Sequence, residues 1–264
     1  NAAFTVAGVE NLLPLRYSFP YHAPLLDLVW PRVLNSMVLV VPSTVLLFLI
    51  AVPVGVYGAL RQYSLGDRVV SFLAYLGLAI PNFFLALILM YLVLQVYFRT
   101  GVMVFPVSGM TSSGFEQFSF WQKVVDVAWH AVLPIVVLTT SDIAGFSRIM
   151  RGQMLEALSQ DYVRTARAKG LPERVVVYKH ALRNAIIPIV ANIGGILPTL
   201  ISGAGLVEVV TAWPGITPLL LDAISQQDLY VVAGFLTMGL VLLMIGNLLS
   251  DLLLAWVDPR IRYE

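Results

Sequence analysis

The chain has 264 residues, 59% of them hydrophobic and 12% charged, with a net charge of +1 and no cysteine; its mean hydropathy is +0.85. A soluble domain carries about a quarter charged residues, so this composition excludes an ordinary water-soluble fold. The lack of cysteine excludes disulfides, thiolate metal sites and cysteine nucleophiles, and the net charge argues neither for nor against nucleic acid, which leaves the distribution of charge to be read.

Residues 1–34 read as an external N-terminal segment. No basic stretch there precedes a short apolar core, so it holds no signal peptide. Five apolar stretches then follow, each long enough for a helix of about 20 residues to cross a bilayer: 35–60, 69–98, 129–150, 185–205 and 230–257. Their length excludes buried strands. Pro42, Pro53, Pro81, Pro134, Pro188 and Pro198 lie inside them and predict kinked helices packed as a bundle. Gly55 with Gly58, and Gly194 with Gly195, predict close helix contacts.

Twelve of the 16 basic residues fall in or immediately beside the loop after the first span, the loop after the third and the C-terminus. With five spans these three regions share one side, the cytoplasm by the Lys/Arg rule, which leaves the N-terminus outside and 258–264 as a cytoplasmic tail.

The third span carries Asp142 beside Thr139, Thr140 and Ser141. An ionisable residue inside a membrane helix faces a cavity, a partner or a neighbouring helix, so Asp142 is a pore-lining candidate, with Asn192 a second. The cytoplasmic loop 151–183 follows. Its centre, Asp161 to Lys169, predicts a two-turn helix with Ser159 or Asp161 as N-cap and Gly170 as the stop, and Pro172 suits the first turn of the next helix. So short a helix needs a surface to rest on. Tyr162, Val163 and Ala166 offer a small apolar face with Arg164 and Arg167 beside it. Either this is a plug for another protein's groove, or it is a solvated basic loop that enforces topology and touches lipid head groups.

The loop 206–229 is acidic, with a turn at Trp213-Pro214-Gly215 and an apolar run after it. It reads either as an interfacial helix anchored by Trp213 or as an external gate, with Asp222 and Asp228 offering charge to a cargo or partner. The three histidines lack carboxylate partners at ligand spacing, and no metal site emerges. No phosphate-cradling G-x-x-x-x-G-K-[ST] loop, nucleophile elbow or H-E-x-x-H helix is present, so the chain reads as a non-catalytic subunit.

The run Asp161-Tyr162-Val163-Arg164-Thr165-Ala166-Arg167-Ala168-Lys169-Gly170-Leu171, continued by His180-Ala181-Leu182-Arg183-Asn184-Ala185-Ile186-Ile187-Pro188, resembles the cytoplasmic signature loop of ATP-binding-cassette (ABC) importer permeases. The similarity is greatest to the dipeptide and oligopeptide branch. Arg164-Thr165-Ala166 stands where the wider family has Glu-Ala-Ala, and the spacing from Gly170 to Pro188 is longer than the common form. Tyr17-Ser18-Phe19 with Pro24-Leu25-Leu26-Asp27-Leu28, and Trp213-Pro214-Gly215 through Leu221-Asp222-Ala223-Ile224 to Asp228, extend the resemblance over nearly the whole chain.

The resemblance implies an all-α integral membrane protein whose transmembrane domain covers 35–257. About five of its helices are in this chain, where the family usually has six, the first being absent. It implies a coupling helix that seats in an ATPase subunit through Asp161, Tyr162, Arg164, Ala166, Arg167, Lys169 and Gly170, and gate residues Trp213, Asp222 and Asp228. It further implies a second, homologous permease subunit, two ABC ATPase subunits that bind the ATP and Mg, an external substrate-binding protein, and no nucleic acid. The cargo it implies is di- and oligopeptides, with nickel chelates or glutathione, carried by related permeases, as the alternative within the same importer type. An ion-coupled transporter working alone is the alternative from a different class.

Overall fold

The computed structural model describes residues 17–18, 21, 23–191 and 204–257. A two-residue antiparallel ladder, β1 (Tyr17–Ser18) with β2 (Ala23–Pro24), leads directly into α1 (Leu25–Leu60). That helix begins ten residues before the expected span. Asp27, Pro31 and Arg32 lower the apolarity of its first turns, yet Leu25, Val29 and Val33 recur at helical spacing and are buried. Residues 25–34 therefore belong to the bundle.

α1 runs through Pro31, Pro42 and Pro53 without ending. Pro81 acts otherwise: the stretch expected as one span over 69–98 is two helices, α2 (Leu65–Ala79) and α3 (Asn82–Thr100). Ile80 between them is extended, with φ −96° and ψ 119°, because the proline ring crowds the helical conformation of the residue before it. Ser64 starts α2 by accepting the Asp67 N–H at 3.1 Å.

α4 (Phe120–Ser159) has 40 residues. At 1.5 Å per residue it is about 60 Å long, twice the roughly 30 Å of a hydrocarbon core. It overshoots the expected 129–150 span at both ends, and the first nine residues of the 151–183 loop are its continuation. Beyond it come α5 (Asp161–Ala168), α6 (Glu173–Val175) passing into a π-helical turn at Val176–Ala181, α7 (Leu182–Ala185) and α8 (Ile187–Ala191). Asn192, Gly194, Gly195 and Pro198 lie outside the described residues. After these, α9 (Leu206–Val210), α10 (Ile216–Ser225) and α11 (Leu229–Val257) close the chain.

Four segments among the described residues are long and apolar enough to cross a membrane: Leu25–Leu60, Asn82–Thr100, Phe120–Thr140 and Leu229–Ala255. The fold is the expected all-α membrane bundle. α1 lies along α4, and the crossing is close where the glycines predicted it. A Cβ on Gly55 would stand 2.6 Å from Met150 Cβ and 2.7 Å from the Ser147 carbonyl oxygen, and one on Gly58 would stand 3.0 Å from Asp67 Oδ1. Small residues let the backbones meet.

Three apolar clusters stack along the bundle. At the end that carries Arg61, Arg68 and Arg151, Val56 and Ala59 of α1 pack with Met150, Met154, Val163, Ala166, Val176 and Val177. The middle holds Leu39, Ala86, Leu133, Val137 and Trp213. At the end that carries Asp222 and Asp228, Leu25, Val29 and Val33 pack with Ile216, Leu219, Ala223 and Val231. These ends are termed basic and acidic below.

Candidate functional site

At the basic end, α5 is set off from α4 by one residue. Gln160 is extended, with φ −73° and ψ 152°, and caps α5 without a side-chain hydrogen bond. Neither Ser159 nor Asp161 is the N-cap: Ser159 is the last residue of α4 and its hydroxyl donates to the Glu156 carbonyl at 2.8 Å, while Asp161 already lies in the first helical turn, where its charge suits the helix dipole. The expected stop holds. Gly170 has φ +73°, its N–H donates to the Arg167 carbonyl at 2.9 Å and that of Leu171 to Ala166 at 3.3 Å. This is a Schellman closure, which needs a residue at ease in the left-handed region.

The two faces of α5 differ. Val163 and Ala166 are buried in the basic-end cluster, whereas Asp161, Tyr162, Arg164, Arg167, Lys169 and Gly170 are exposed. Of the apolar face expected to plug a partner's groove, Val163 and Ala166 are thus turned inward and Tyr162 stays outward. Ala166 drops out as a partner contact, because its methyl group fills the chain's own core. Arg164 meets Asp161 at 3.4 Å with both side chains open to solvent, a pair of small worth. Arg167 grips Glu173 twice, at 2.7 and 3.2 Å, and so fixes the turn into α6. That guanidinium holds the Glu173 carboxyl below the usual carboxylate range against a smaller opposing effect of burial.

A second constellation at this end escaped sequence reading. Arg151 of α4 donates to Asp67 Oδ2 at 3.0 Å and to the Gly58 carbonyl at 3.2 Å, and Asp67 also accepts the Tyr63 N–H at 2.9 Å. α1, α2 and α4 meet in these three bonds.

At the acidic end, Trp213 is fully buried and its indole N–H donates to the Asn35 carbonyl at 2.9 Å. Its ring fills the middle cluster and does not stand exposed. Asp228 is also buried. It accepts the Ser18 hydroxyl at 2.5 Å and the Tyr230 and Val231 N–H groups at 3.1 and 3.2 Å. Its carboxylate holds the start of α11. Asp222 is exposed, as expected of a surface group. Nearby, burial first and then Asp222 and Asp228 raise the Tyr21 phenol above its usual range, with Arg32 opposing.

The residue that organises this corner is Glu208, completely buried in α9. Its Oε1 accepts the Ser36 hydroxyl at 2.6 Å and the Ala204 N–H at 3.4 Å; its Oε2 accepts the Thr217 N–H at 2.9 Å. A lone carboxylate in the apolar run Leu206–Val210 was the available signal, since a buried charge demands donors. Asp142 lies in α4 and is exposed on the isolated chain, a placement that in a membrane calls for an aqueous or protein neighbour.

A family model described as binding-protein-dependent transport system inner membrane component matches residues 51–263. The chain is 40% identical over 243 residues to the oligopeptide transport system permease protein AppB of Bacillus subtilis, a match covering 91% of this chain and 73% of that one. It is 38% identical over 231 residues to the oligopeptide transport system permease protein OppB of Mycobacterium tuberculosis, covering 88% and 71%. It is 36% identical over 245 residues to the dipeptide transport system permease protein DppB of Escherichia coli, covering 89% and 72%.

Proposed function

Since the chain belongs to the family of binding-protein-dependent transport system inner membrane components, we propose that it is the permease subunit of an importer of di- and oligopeptides and supplies half of the translocation pathway. It is a multi-pass inner-membrane protein, and its relatives' names place it with peptide permeases. The ion-coupled transporter working alone has no counterpart among these relatives.

ATPase and binding-protein subunits complete such a system. In this reading the ATP and Mg sit in two partner ATPases, a second permease subunit closes the pathway, and the binding protein delivers cargo at the acidic end. The basic end faces the cytoplasm, in keeping with the Lys/Arg bias, and the C-terminal tail lies on that side. ATP drives the cycle because it favours one pore state over the other; a ligand indifferent to both would shift nothing.

The observation that carries this assignment is the two-sided character of α5. Val163 and Ala166 anchor it to the ends of α1 and α4, while Asp161, Tyr162, Arg164, Arg167, Lys169 and Gly170 stand outward. A force applied to the outer face is thereby passed to the bundle. Joint replacement Tyr162→Ala and Arg164→Ala is expected to weaken ATPase capture by about tenfold or more, the loss of one or two interfacial anchors. Unchanged pull-down and unchanged ATP-dependent peptide uptake would defeat the assignment. The exposed Asp142 is proposed to line the pathway, together with Asn192, and Asp222 to face the binding protein. Asp142→Asn should slow uptake of peptides with a free N-terminal ammonium, and an unaltered rate would remove Asp142 from the pathway.

A further inference from the structure

Four hydrogen bonds converge on two adjacent residues of α1, and a fifth closes the same corner. The Asn35 carbonyl accepts the Trp213 indole N–H at 2.9 Å, and the Asn35 amide donates to the Pro214 carbonyl at 2.9 Å. The Ser36 hydroxyl donates to Glu208 at 2.6 Å and accepts the Ile216 N–H at 2.9 Å, and Glu208 accepts the Thr217 N–H at 2.9 Å. Ser36, Glu208 and Trp213 are buried, and the two bonds of the Ser36 hydroxyl lie away from solvent, where hydrogen bonds are strongest and broken ones cost most. Leu25, Val29 and Val33 add apolar contact to Ile216, Leu219 and Ala223 on the same two elements. A loop built to swing freely would lack such a junction.

The same helix reaches the other end of the molecule. α1 has 36 residues, about 54 Å, and its Val56 and Ala59 share a cluster with Val163 and Ala166 of α5. A displacement of α5 therefore arrives at the acidic end through α1.

We infer that Glu208 is a positioning residue for transport: with Asn35 and Ser36 it fastens the α9–α10 corner to α1, so that the corner moves as one rigid body with that helix and not as a separate flap. The inference rests on the permease reading above. Glutamine is nearly isosteric with Glu208 but cannot replace it. The Oε1 site takes a hydroxyl and an N–H, and the Oε2 site takes an N–H, so an amide NH2 at either site faces a donor.

The test uses the complete transporter in proteoliposomes, with a mixture of radiolabelled di- to penta-alanine as cargo. These 264 residues contain no cysteine, so in a transporter whose cysteines elsewhere are replaced by serine, Asn35→Cys with Pro214→Cys gives one pair that a reducible bis-thiosulfonate reagent can bridge. Glu208→Gln should lower uptake by about tenfold, the weight of one charge-assisted hydrogen bond, while complex yield and ATP hydrolysis stay within about twofold, the scatter of neutral substitutions. Asn35→Cys itself removes the amide bond to the Pro214 carbonyl, so each unbridged pair is its own reference. Bridging should not lower uptake by the Glu208-containing pair, should raise it in the Glu208→Gln pair to the same level, and should lose that restoration on reduction. A residue needed only for folding would not be rescued by a bond formed after assembly. Loss of uptake on bridging the Glu208-containing pair, regained on reduction, would overturn the inference by showing that corner and helix must part. Normal uptake in Glu208→Gln would also overturn it. Absence of ATP-dependent uptake in the unsubstituted transporter would instead strike the permease reading.

Discussion

Gly215 shows how one missing side chain supports a buried charge. Its φ of −85° is open to any residue, so backbone freedom does not require the glycine. Space does: a Cβ there would lie 2.3–2.4 Å from the Glu208 carboxylate atoms. The carboxylate is the end of a flexible chain, yet Ser36, Ala204 and Thr217 pin it, and moving it forfeits their bonds. Gly215→Ala is expected to destabilise the protein by about 1–3 kcal/mol, the cost of a broken buried hydrogen bond to a charged group. Gly114→Ala serves as the contrast, because its φ is +85° with open space around the Cβ, so backbone strain of about 1 kcal/mol is its whole penalty. Thermal unfolding in detergent compares the two; a Gly215→Ala protein as stable as the parent would show that the carboxylate relaxes freely. Trp213 and Asp228 carry the same lesson. From sequence Trp213 reads as an interfacial anchor or gate residue and Asp228 as a charge for a cargo or partner, and in the fold both are buried, each bonded to a distant segment, Asn35 and Ser18.

Among elements, α5 was legible in the sequence and its orientation was not. Gly170, the acidic first turn and the following Pro172 fixed its length, since capping and turn chemistry are local. Which face turned inward depended on Val176 and Val177, on a π-helical turn that no local pattern announces. The split of α2 from α3 is half-visible in the sequence: Pro81 marks a disturbance, but whether the helix kinks there or ends depends on Ile80 taking the extended conformation. The α5–α6 turn has a pH dependence with a definite sign. Arg167 holds the Glu173 carboxyl below its ordinary value, so the pair stabilises the turn fully above that value and the contribution is lost as pH falls through the lowered one. Both side chains are largely exposed, so the effect is local and screened by salt. Hydrogen exchange, corrected for intrinsic rates, should show the amides of 168–171 losing protection over that acidic window. In Glu173→Gln the same amides should be less protected already at neutral pH, and equal protection in parent and variant would remove the ion pair from the account.

The whole molecule is organised around α1, fastened at one end to the α9–α10 corner and at the other to α2 and α4. Hydropathy could announce the membrane class, because 20-residue apolar runs are a strong signal, but not these fastenings, which join residues as far apart as Asn35 and Pro214. The basic-end fastening makes its own prediction. Asp67 is buried and receives Arg151 and the Tyr63 N–H, while the Arg151 side chain keeps 30% of its surface exposed. Removing the arginine leaves a buried carboxylate short of a donor; removing the carboxylate leaves an arginine that can still reach solvent. Arg151→Met should therefore cost about 2 kcal/mol and Asp67→Asn less, with the double variant costing less than the sum. Because this pair ties α2 to the same α4 segment that meets α1 at Gly58, its loss should also loosen the basic end as a unit. A double-mutant cycle on thermal unfolding, with hydrogen exchange over 61–68, reads both effects. Strictly additive costs with unchanged exchange would mean that α1, α2 and α4 are held at this end by the apolar cluster alone.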